Sequence, residues 1–491
     1  MAVLEGFEPA RFFHYFEQLT KIPRGSGNEK EVSDYVVHFA TAHGFTWEQD
    51  AANNVKIWVP ATPGYEDRKS IALQAHLDMV CASDAEVDFD FKTQPLNIYV
   101  EDGYVKARGT TLGADNGVGV AMILALLERE DLPHPPLQAI FTTGEEILFV
   151  GAQAMADEWI DSDYMIGLDY SNNKSILAAA AGMSTMTCDC QLERKALPNG
   201  TDTVVEIDLS GFQGGHSGNM IHRDRANAIK VMGELILAVQ KKFNKAELVR
   251  FTGGTLINVI CYEAAAAIAC PHYLVEELTA FLKEQTACIR HAYRHTEPNM
   301  AFSFRTRVAA VSDTAIDRKK AGQLLDFIAL CFAGAYMMVD DAYTRAESSA
   351  NLGILEEIEG YARVTISMRS NVAYHFDQMI EQKMKLARLC GLTPTLCSKF
   401  GAWEFVPDSK LLEQTKVFYR EVFGVEANVA QIHAGVEGGI FQEKAQRQNR
   451  KVDLINLGCM NYDVHTPKER LEIASVRPTY DLLCKILSEV R

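Results

Sequence analysis

The sequence predicts an α/β fold, with a mixed, largely parallel sheet that has helices on both faces and a separate inserted α+β domain. Strand-like and helix-like runs alternate as far as Gly182, which is typical of βαβ units. The order then becomes β-α-β-β-α-β, the split βαβ plan, and a similar order follows it. After Phe400 the first pattern returns. We therefore expect one domain from residues 1–183 and 400–491, and an inserted domain over 184–399.

The first domain is predicted from short apolar runs bounded by polar residues, which indicate buried strands, and from longer periodic runs, which indicate helices. The strands are expected at residues 70–74, 137–142, 164–168 and 452–457. The helices are expected at residues 117–128, 151–159, 408–423 and 475–490.

The inserted domain is predicted from the order of its elements. The first half has a strand, a helix, two strands, a helix and a strand, at residues 204–209, 223–243, 256–260, 264–269, 274–293 and 301–308. The second half has a helix, two strands, a helix and a strand, at residues 317–336, 351–358, 362–368, 375–390 and 393–399. The two halves share no sequence similarity, so only the element order indicates a duplication.

Composition narrows the classes of protein and partner. The chain has 491 residues, which is longer than most chains that fold around a single hydrophobic core, so we expect two domains. A net charge of -17 argues against a nucleic-acid partner, which requires a basic surface. The longest apolar stretch, 327–339, is shorter than the roughly 20 residues that cross a bilayer. Eleven scattered cysteines and no predicted secretory signal favour a soluble cytoplasmic protein with reduced thiols and no membrane partner.

A histidine and an aspartate follow the predicted strand at residues 70–74. His76 and Asp78 are two residues apart, so in an extended segment both side chains point the same way. A carboxylate in that position can orient a metal-bound imidazole. A surface turn is the alternative.

A glycine-rich loop, residues 110–119, precedes the first helix. Such loops can bind phosphate through backbone N–H groups, so a nucleotide site is one alternative and a tight Asp-Asn-Gly turn is another. This loop carries Asp115 and no lysine, which favours a carboxylate that bridges two cations.

Further acidic residues and a histidine occupy similar positions. Glu145, Glu146 and Asp169 follow predicted strands, and His465 follows the last one. Carboxyl ends of parallel strands form the ligand crevice of α/β sheets, and imidazoles with carboxylates bind zinc. One of the adjacent glutamates can bind metal while the other accepts a proton from water. The pattern predicts a metal-dependent hydrolase; a solvated Glu-Glu pair, a structural histidine and a non-catalytic scaffold are the alternatives.

Longer motifs carry a resemblance to a known family. They lie at residues 75–80, 108–117, 142–146, 214–218, 253–258 and 432–437. With them the chain resembles the di-zinc exopeptidases that include carnosinases, tripeptidase T and succinyl-diaminopimelate desuccinylase. The segments 108–117 and 432–437 resemble the aminoacyl-histidine dipeptidase branch of that family.

The resemblance implies two zinc ions, with Mn²⁺ or Co²⁺ as substitutes, at sites that share Asp115. His76 and Asp169 would complete one site, and Glu146 and His465 the other. The family often has a cis peptide bond after the shared aspartate. Here that bond is Asp115-Asn116.

The resemblance also implies roles for residues beside the metals. Asp78 would orient the first metal-binding imidazole, and Glu145 would be the general base. His216 would reach the substrate carbonyl, in some relatives from a partner subunit. Asn258 and Arg369 would bind the terminal carboxylate of a peptide, for which the planar guanidinium is well suited. A turn residue at His216 and a surface ion pair at Arg369 remain alternatives.

Three further residues, His433, Gly435 and Glu437, are expected to bind substrate because they lie in the 432–437 motif. The implied activity is hydrolysis of unblocked dipeptides, Xaa-His among them, by a homodimer joined through an inserted lid domain. An N-acyl amino acid deacylase or a tripeptidase on the same fold is the alternative. Cys81 and Gly438 depart from the common proline and cysteine of the family, which leaves the substrate preference open.

Overall fold

The structure is a computed structural model that describes residues 2–340, 342 and 344–491. The chain forms two compact units. All eleven cysteines lie in the described part and carry free thiols. Over the same residues, no helix combines the length and apolar character that crossing a membrane requires.

The first unit contains the chain as far as Ala180 together with Trp403–Ile432 and Val436–Arg491. It is built on an eight-stranded sheet, whose strands in spatial order are Thr46–Gln49, Val55–Val59, Leu137–Thr142, Ile71–His76, Tyr164–Gly167, Asp453–Asn456, Ser175–Ala180 and Asn428–Ile432. A smaller sheet has the order Asn461–Tyr462, Arg470–Glu472, Tyr104–Ala107 and Ile98–Glu101.

Helices cover the eight-stranded sheet. The strands Ile71–His76 and Leu137–Thr142 are buried at every residue, so both of their faces must be covered. The helix Ala114–Leu127, itself buried except at Asp115, packs against the first of these strands. The helices are Ala10–Leu19, Lys30–Ala42, Ala114–Leu127, Val150–Ala154, Lys410–Phe423, Gly438–Arg447 and Ile473–Glu489, with a 3₁₀ turn at Asp157–Trp159.

The sheet is mixed and parallel at its centre. Four neighbouring strands, from Leu137–Thr142 to Asp453–Asn456 in the spatial order above, run parallel, and antiparallel pairs flank them. The predicted α/β class is therefore confirmed. The sequence analysis missed the strands at 46–49, 55–59, 175–180 and 428–432. Ser175–Ala180 reads Ser-Ile-Leu-Ala-Ala-Ala, a composition that favours helix, and only burial in the sheet makes it a strand.

The second unit contains Ala181–Ala402 and His433–Gly435. Its main sheet is antiparallel, and the strands in spatial order are Ala301–Val308, Thr203–Ser210, Ala264–Cys270, Glu247–Gly253, Ala346–Ile358, Tyr361–Ser370, Gly182–Gln191 and Thr393–Phe400, with Gly334–Met338 paired to Ala346–Ile358. A second small sheet joins Arg194–Ala196 to Thr314–Ile316. The helices are Ala228–Lys242, Val275–Ala292, Arg318–Leu330 and Ala373–Leu389, with 3₁₀ turns at Ile221–Arg223 and His272–Leu274.

The same strand order occurs twice in this sheet. Each half has the strands of a split βαβ unit in the spatial order fourth, first, third, second, and the halves meet where Glu247–Gly253 pairs with Ala346–Ile358. The first strand of the second half is Gly182–Gln191, which precedes the whole first half in sequence. One half is therefore nested inside the other, which the element order alone did not indicate.

Two predicted elements of this unit were wrong. Residues 256–260 form no strand: the strand of this region is Glu247–Gly253, and the next residue, Gly254, has a φ of 69°. The helix expected to reach residue 336 ends at Leu330. The ammonium group of Lys230 donates to three carbonyl groups at that helix end, and Gly334, with a φ of 137°, begins a strand instead.

Candidate metal centre

Three neighbouring parallel strands of the first unit end at one edge of its sheet. His76 is the last residue of the central strand of the three. Glu145 and Glu146 follow the end of one flanking strand, and Asp169 follows the end of the other. The expected convergence at the carboxyl ends of the strands is therefore present.

Asp115 lies between two groups of side chains. Its Oδ1 atom lies 3.1 Å from Nε2 of His76, which is 4.0 Å from Oδ1 of Asp169. Its Oδ2 atom lies 3.4 Å from Nε2 of His465, which is 2.9 Å from Oε1 of Glu146. The candidate ligand atoms of His76, Asp115 and Glu146 lie within 4.8 Å of one another. The structure thus brings together all five predicted metal ligands.

The chemistry of this donor set fits divalent cations. Two imidazoles and three carboxylates are the nitrogen and oxygen ligands that zinc and its neighbours prefer. Burial, and then the charge of Asp115, raise the pKa of Asp169 to about 7. Asp115 and Glu146, within hydrogen-bonding distance, raise the pKa of His465 to about 10. Crowded carboxylates repel one another, and bound cations relieve that repulsion.

Asp78 connects the first imidazole to the loop of the two glutamates. Its Oδ1 atom lies 3.3 Å from Nδ1 of His76. Its two carboxylate oxygens accept hydrogen bonds from the backbone N–H groups of Glu145 and Glu146, at 3.0 and 3.2 Å. Burial alone raises the pKa of Asp78, but the partners His76, Ser26 and Glu145 outweigh it and lower the pKa to about 2. Asp78 is therefore an ionised side chain that holds the ring of His76 and the loop of Glu145 and Glu146 in place.

Asp169 is placed by a close approach of two strands. Nδ2 of Asn456 donates to the carbonyl oxygen of Asp169 at 3.4 Å. The Asn456 side chain occupies the space beside Gly167, where a Cβ would overlap Oδ1 of Asn456. Only glycine at this position lets the neighbouring strand hold the Asp169 segment.

The glycine-rich loop before Asp115 is not arranged for phosphate. The backbone N–H groups of Leu112, Gly113 and Asp115 donate to the carboxylate of Glu469. These donors are the ones that a phosphate would need, so the nucleotide-binding alternative loses its basis. Gly113, with a φ of 66°, lies where a Cβ would stand 2.6 Å from Nη2 of Arg24. The Asp115-Asn116 bond is cis, as expected.

Glu145 and Glu437 are two more carboxyl groups beside the ligands. Burial and the nearby charges of Asp169, Glu146 and Glu437 raise the pKa of Glu145 well above its usual value, although His76 opposes them. Oε2 of Glu437 accepts hydrogen bonds from the side chains at positions 74 and 142, at 2.6 and 2.8 Å. Burial, chiefly, raises the pKa of Glu437 to about 8.

Several residues that the sequence analysis missed surround the centre. Arg24 and Glu469 are buried charged side chains, and Gln74 and Thr142 hydrogen-bond to Glu437. A single sequence does not distinguish a buried charge from an exposed one. Glu469, however, lies close in sequence to His465, the predicted histidine ligand. That short spacing is the one feature of the sequence that could have indicated a role for Glu469 at the centre.

The second unit carries the other predicted residues. Nδ1 of His216 accepts hydrogen bonds from the backbone N–H groups of Gly218 and Asn219, both at 3.2 Å. Nδ1 therefore has no proton, and Nε2 carries the proton of the neutral ring. Burial, and then the charge of Arg369, lower the pKa of His216. The ring is a neutral hydrogen-bond donor.

Arg369 is a buried cation. It is 3% exposed, and burial lowers its pKa to about 10. Its Nη1 atom contacts the sulfur of Met183, and no carboxylate of the described residues forms an ion pair with it. The alternative of a surface ion pair is therefore wrong. Asn258 is exposed in the segment after Gly254, and its backbone carbonyl oxygen accepts a hydrogen bond from the N–H of Ser217.

His433 is an internal anchor of the second unit. Its Nδ1 atom donates to Oδ1 of Asn371 at 3.2 Å, and its Nε2 atom accepts from Ser349 Oγ at 2.7 Å. Burial, and then nearby cations, lower the pKa of His433 to about 3. Both ring nitrogens therefore hydrogen-bond to residues of the second unit. Gly435 lies partly buried in the same segment, where the carbonyl of Ala434 accepts from the backbone of residue 181.

Known proteins resemble the chain over its full length. Residues 72–489 match Peptidase family M20/M25/M40. The cytosol non-specific dipeptidase of Escherichia coli K12 is 30% identical over 490 residues, which cover 100% of this chain and 99% of that protein.

Solved structures also resemble the chain over almost its full length. The crystal structure of aminoacylhistidine dipeptidase from Vibrio alginolyticus aligns with a TM-score of 0.88 and 28% identity, covering 99% of this chain and 98% of that one. Aminopeptidase PepT from Bacillus cereus, with a TM-score of 0.56 and 17% identity over 99% of each chain, shares the fold. The resemblance expected from the motifs is confirmed: the protein is a metallopeptidase and belongs to Peptidase family M20/M25/M40.

Proposed function

We propose that this protein is a cytoplasmic dipeptidase that cleaves unblocked dipeptides, Xaa-His among them, at a centre of two zinc ions. The observation that carries the proposal is Asp115, whose two carboxylate oxygens face two different imidazoles. The names of two relatives, cytosol non-specific dipeptidase and aminoacylhistidine dipeptidase, support the substrate class and the compartment.

The proposed ligands divide into two sets that share Asp115. His76 and Asp169 complete one set, and Glu146 and His465 complete the other. Zinc suits this mixture of imidazole and carboxylate, and Mn²⁺ or Co²⁺ can replace it in the same ligands. Two such ions would lower the pKa of a water between them towards about 7 and polarise the scissile carbonyl.

Glu145 is the proposed general base. It accepts the proton of the attacking water and later delivers that proton to the departing amine. Burial and the neighbouring carboxylates raise the pKa of Glu145 well above its usual value, so this side chain binds a proton more readily than an exposed glutamate does. Asp78 holds the backbone of Glu145 and the ring of His76 in place.

His216 is proposed to stabilise the oxyanion. Because its Nδ1 atom accepts two backbone hydrogen bonds, its Nε2–H is the group that donates. Removing one such donor typically costs about a hundredfold or more in rate. From the family resemblance, this histidine acts within its own subunit or across a dimer.

The proposed substrate-binding residues are Arg369, Asn258, His433, Gly435 and Glu437. A buried guanidinium without a carboxylate partner is stabilised by the terminal carboxylate of a peptide. Glu437 has one hydrogen-bonded oxygen and one, Oε1, without a partner in the described residues. That free oxygen suits the ammonium group of an unblocked dipeptide, which an N-acyl substrate lacks.

The proposed organisation follows the division expected from the sequence. Residues 1–183 and 400–491 form the catalytic domain, and residues 184–399 form a lid that closes over short peptides and joins two subunits in a homodimer. No nucleic acid or membrane takes part.

One substrate comparison tests the proposal. The purified, zinc-loaded protein is offered Xaa-His dipeptides, their N-acetyl counterparts and a tripeptide that ends in histidine. Turnover of the dipeptides alone is expected. Turnover of only the acetylated set would identify a deacylase, and preference for the tripeptide would identify a tripeptidase; either result rejects the dipeptidase assignment.

A further inference from the structure

A buried carboxylate holds the loop that carries Asp115. One oxygen of Glu469, Oε2, accepts hydrogen bonds from the N–H groups of Leu112 and Gly113 at 2.8 and 2.9 Å. The other oxygen accepts from the N–H of Asp115 itself at 3.1 Å. The Glu469 residue is 3% exposed. Three backbone donors therefore converge on a single side chain.

Arg24 holds the same loop through its carbonyl groups. Its Nη2 atom donates to the carbonyl oxygen of Gly113. Its Nη1 atom donates to the carbonyl oxygens of Leu77 and Asp78, at 2.9 and 3.0 Å. The guanidinium thus ties the segment after His76 to the loop before Asp115, while Glu469 binds that loop through its N–H groups.

Glu469 belongs to the segment that carries the last candidate ligand. Its backbone N–H donates to the carbonyl oxygen of Thr466 at 3.0 Å, which closes a turn directly after His465. The carboxylate hydrogen bonds therefore connect this C-terminal turn to an N-terminal loop more than three hundred residues earlier. They explain in physical terms how a histidine near the end of the chain meets Asp115.

We infer that Glu469 is a positioning residue that fixes Asp115 and His465 relative to each other and thereby sets the metal affinity of the centre. The inference rests on the proposed metal-dependent function. Partners that orient metal ligands without touching the ion typically contribute tenfold to a hundredfold in metal affinity. Glu469 acts through the backbone of Asp115 and through the turn after His465, and takes no part in the proton transfers.

The test is metal binding by Glu469→Gln. Glutamine keeps the size of the side chain but replaces one acceptor oxygen with an NH₂ group, which cannot accept from the backbone N–H groups. Binding of zinc to the chelator-treated protein is measured by competition with a chromophoric chelator. We expect an affinity about tenfold to a hundredfold below that of the wild type.

The matched control is Glu472→Gln, which removes the same charge from the same segment. The carboxylate of Glu472 accepts a hydrogen bond from the hydroxyl of Tyr462, and among the described residues it forms no hydrogen bond or ion pair with the Asp115 loop. Thermal unfolding of the metal-free variants separates stability from affinity. A loss below tenfold in Glu469→Gln, or an equal loss in Glu472→Gln, would overturn the inference.

Two further outcomes have a definite meaning. Should Glu469→Gln not fold, Glu469→Asp takes its place: it keeps the charge but is one methylene too short to reach all three N–H groups, so the same tenfold criterion applies. Should the wild-type protein bind no divalent metal, the proposed function fails, and not the positioning role alone.

Discussion

Replacing Glu145 with glutamine removes the proposed base and changes little else. Glutamine has the size of glutamate, and the backbone N–H of residue 145 still donates to Oδ1 of Asp78. The neighbouring ligand Glu146 and its approach to His465 are untouched. The variant should therefore bind metal as the wild type does and lose only the group that carries the proton.

The size of the effect follows from the number of proton transfers. A positioned acid or base contributes roughly 10²-fold to 10⁴-fold in rate. Glu145 is proposed to serve twice, first on the water and then on the leaving amine, so we expect kcat to fall by about 10³-fold to 10⁴-fold. At 1.36 kcal/mol for each factor of ten, this is about 4–5 kcal/mol of lost transition-state stabilisation.

The assay measures kcat for an Xaa-His dipeptide together with the zinc content of the same preparation. The control is Glu158→Gln, an exposed glutamate of the same unit, which should leave both quantities at the wild-type level. A Glu145→Gln variant with full zinc content and hydrolysis within tenfold of the wild type would refute the general-base role. Loss of zinc would show instead that Glu145 is a ligand.

Three more changes have defined outcomes. Arg369→Lys keeps the charge but loses the planar pair of donors, so KM for dipeptides should rise about tenfold to a hundredfold with a smaller change in kcat; an unchanged KM contradicts the carboxylate role. Gly438→Cys puts a Cβ 2.8 Å from Leu454 and 3.0 Å from Trp403, and should lower the free energy of unfolding by about 1–3 kcal/mol in urea titrations; equal stability would show that the site repacks. The pKa of His433 is about 3 in the folded protein and has its ordinary value of about 6.5 in the unfolded chain. As pH falls below about 6.5 the unfolded chain gains a proton that the folded protein does not, so the free energy of unfolding decreases. In His433→Gln the unfolding midpoint of the chelator-treated protein should therefore fall less steeply between about pH 7.5 and about pH 4.5.

The sequence predicted three segments of the centre because their polar residues end or closely follow buried apolar strands. This pattern predicts His76, Glu145 and Asp169 from the sequence. A buried strand is apolar, so a polar residue at its end indicates a functional position. For Asp115 and His465 the residues left alternatives open, since the loop before Asp115 also fits a phosphate site and a structural histidine was the alternative for His465. The family resemblance assigned both residues to the metals. Their geometry came only from the structure.

Other features could not be predicted from the sequence, for identifiable physical reasons. Arg24 and Glu469 are charged residues in polar surroundings of the sequence, and nothing local indicates that they are buried. The strand Ser175–Ala180 is half alanine, so its strand conformation depends on partners distant in sequence. The hydrogen bonds of His433 could not be predicted, because both of its ring nitrogens bond to residues that the sequence did not connect with it.

The nested halves of the second unit have a consequence for synthesis on the ribosome. The inner half, from Thr203–Ser210 to Ala301–Val308, is contiguous, so it can fold as soon as it leaves the exit tunnel. Gly182–Gln191 emerges earlier, yet its partners, Tyr361–Ser370 and Thr393–Phe400, are translated only after the whole inner half. That strand must wait unpaired, and we expect nascent chains truncated before residue 361 to expose it to proteases and chaperones.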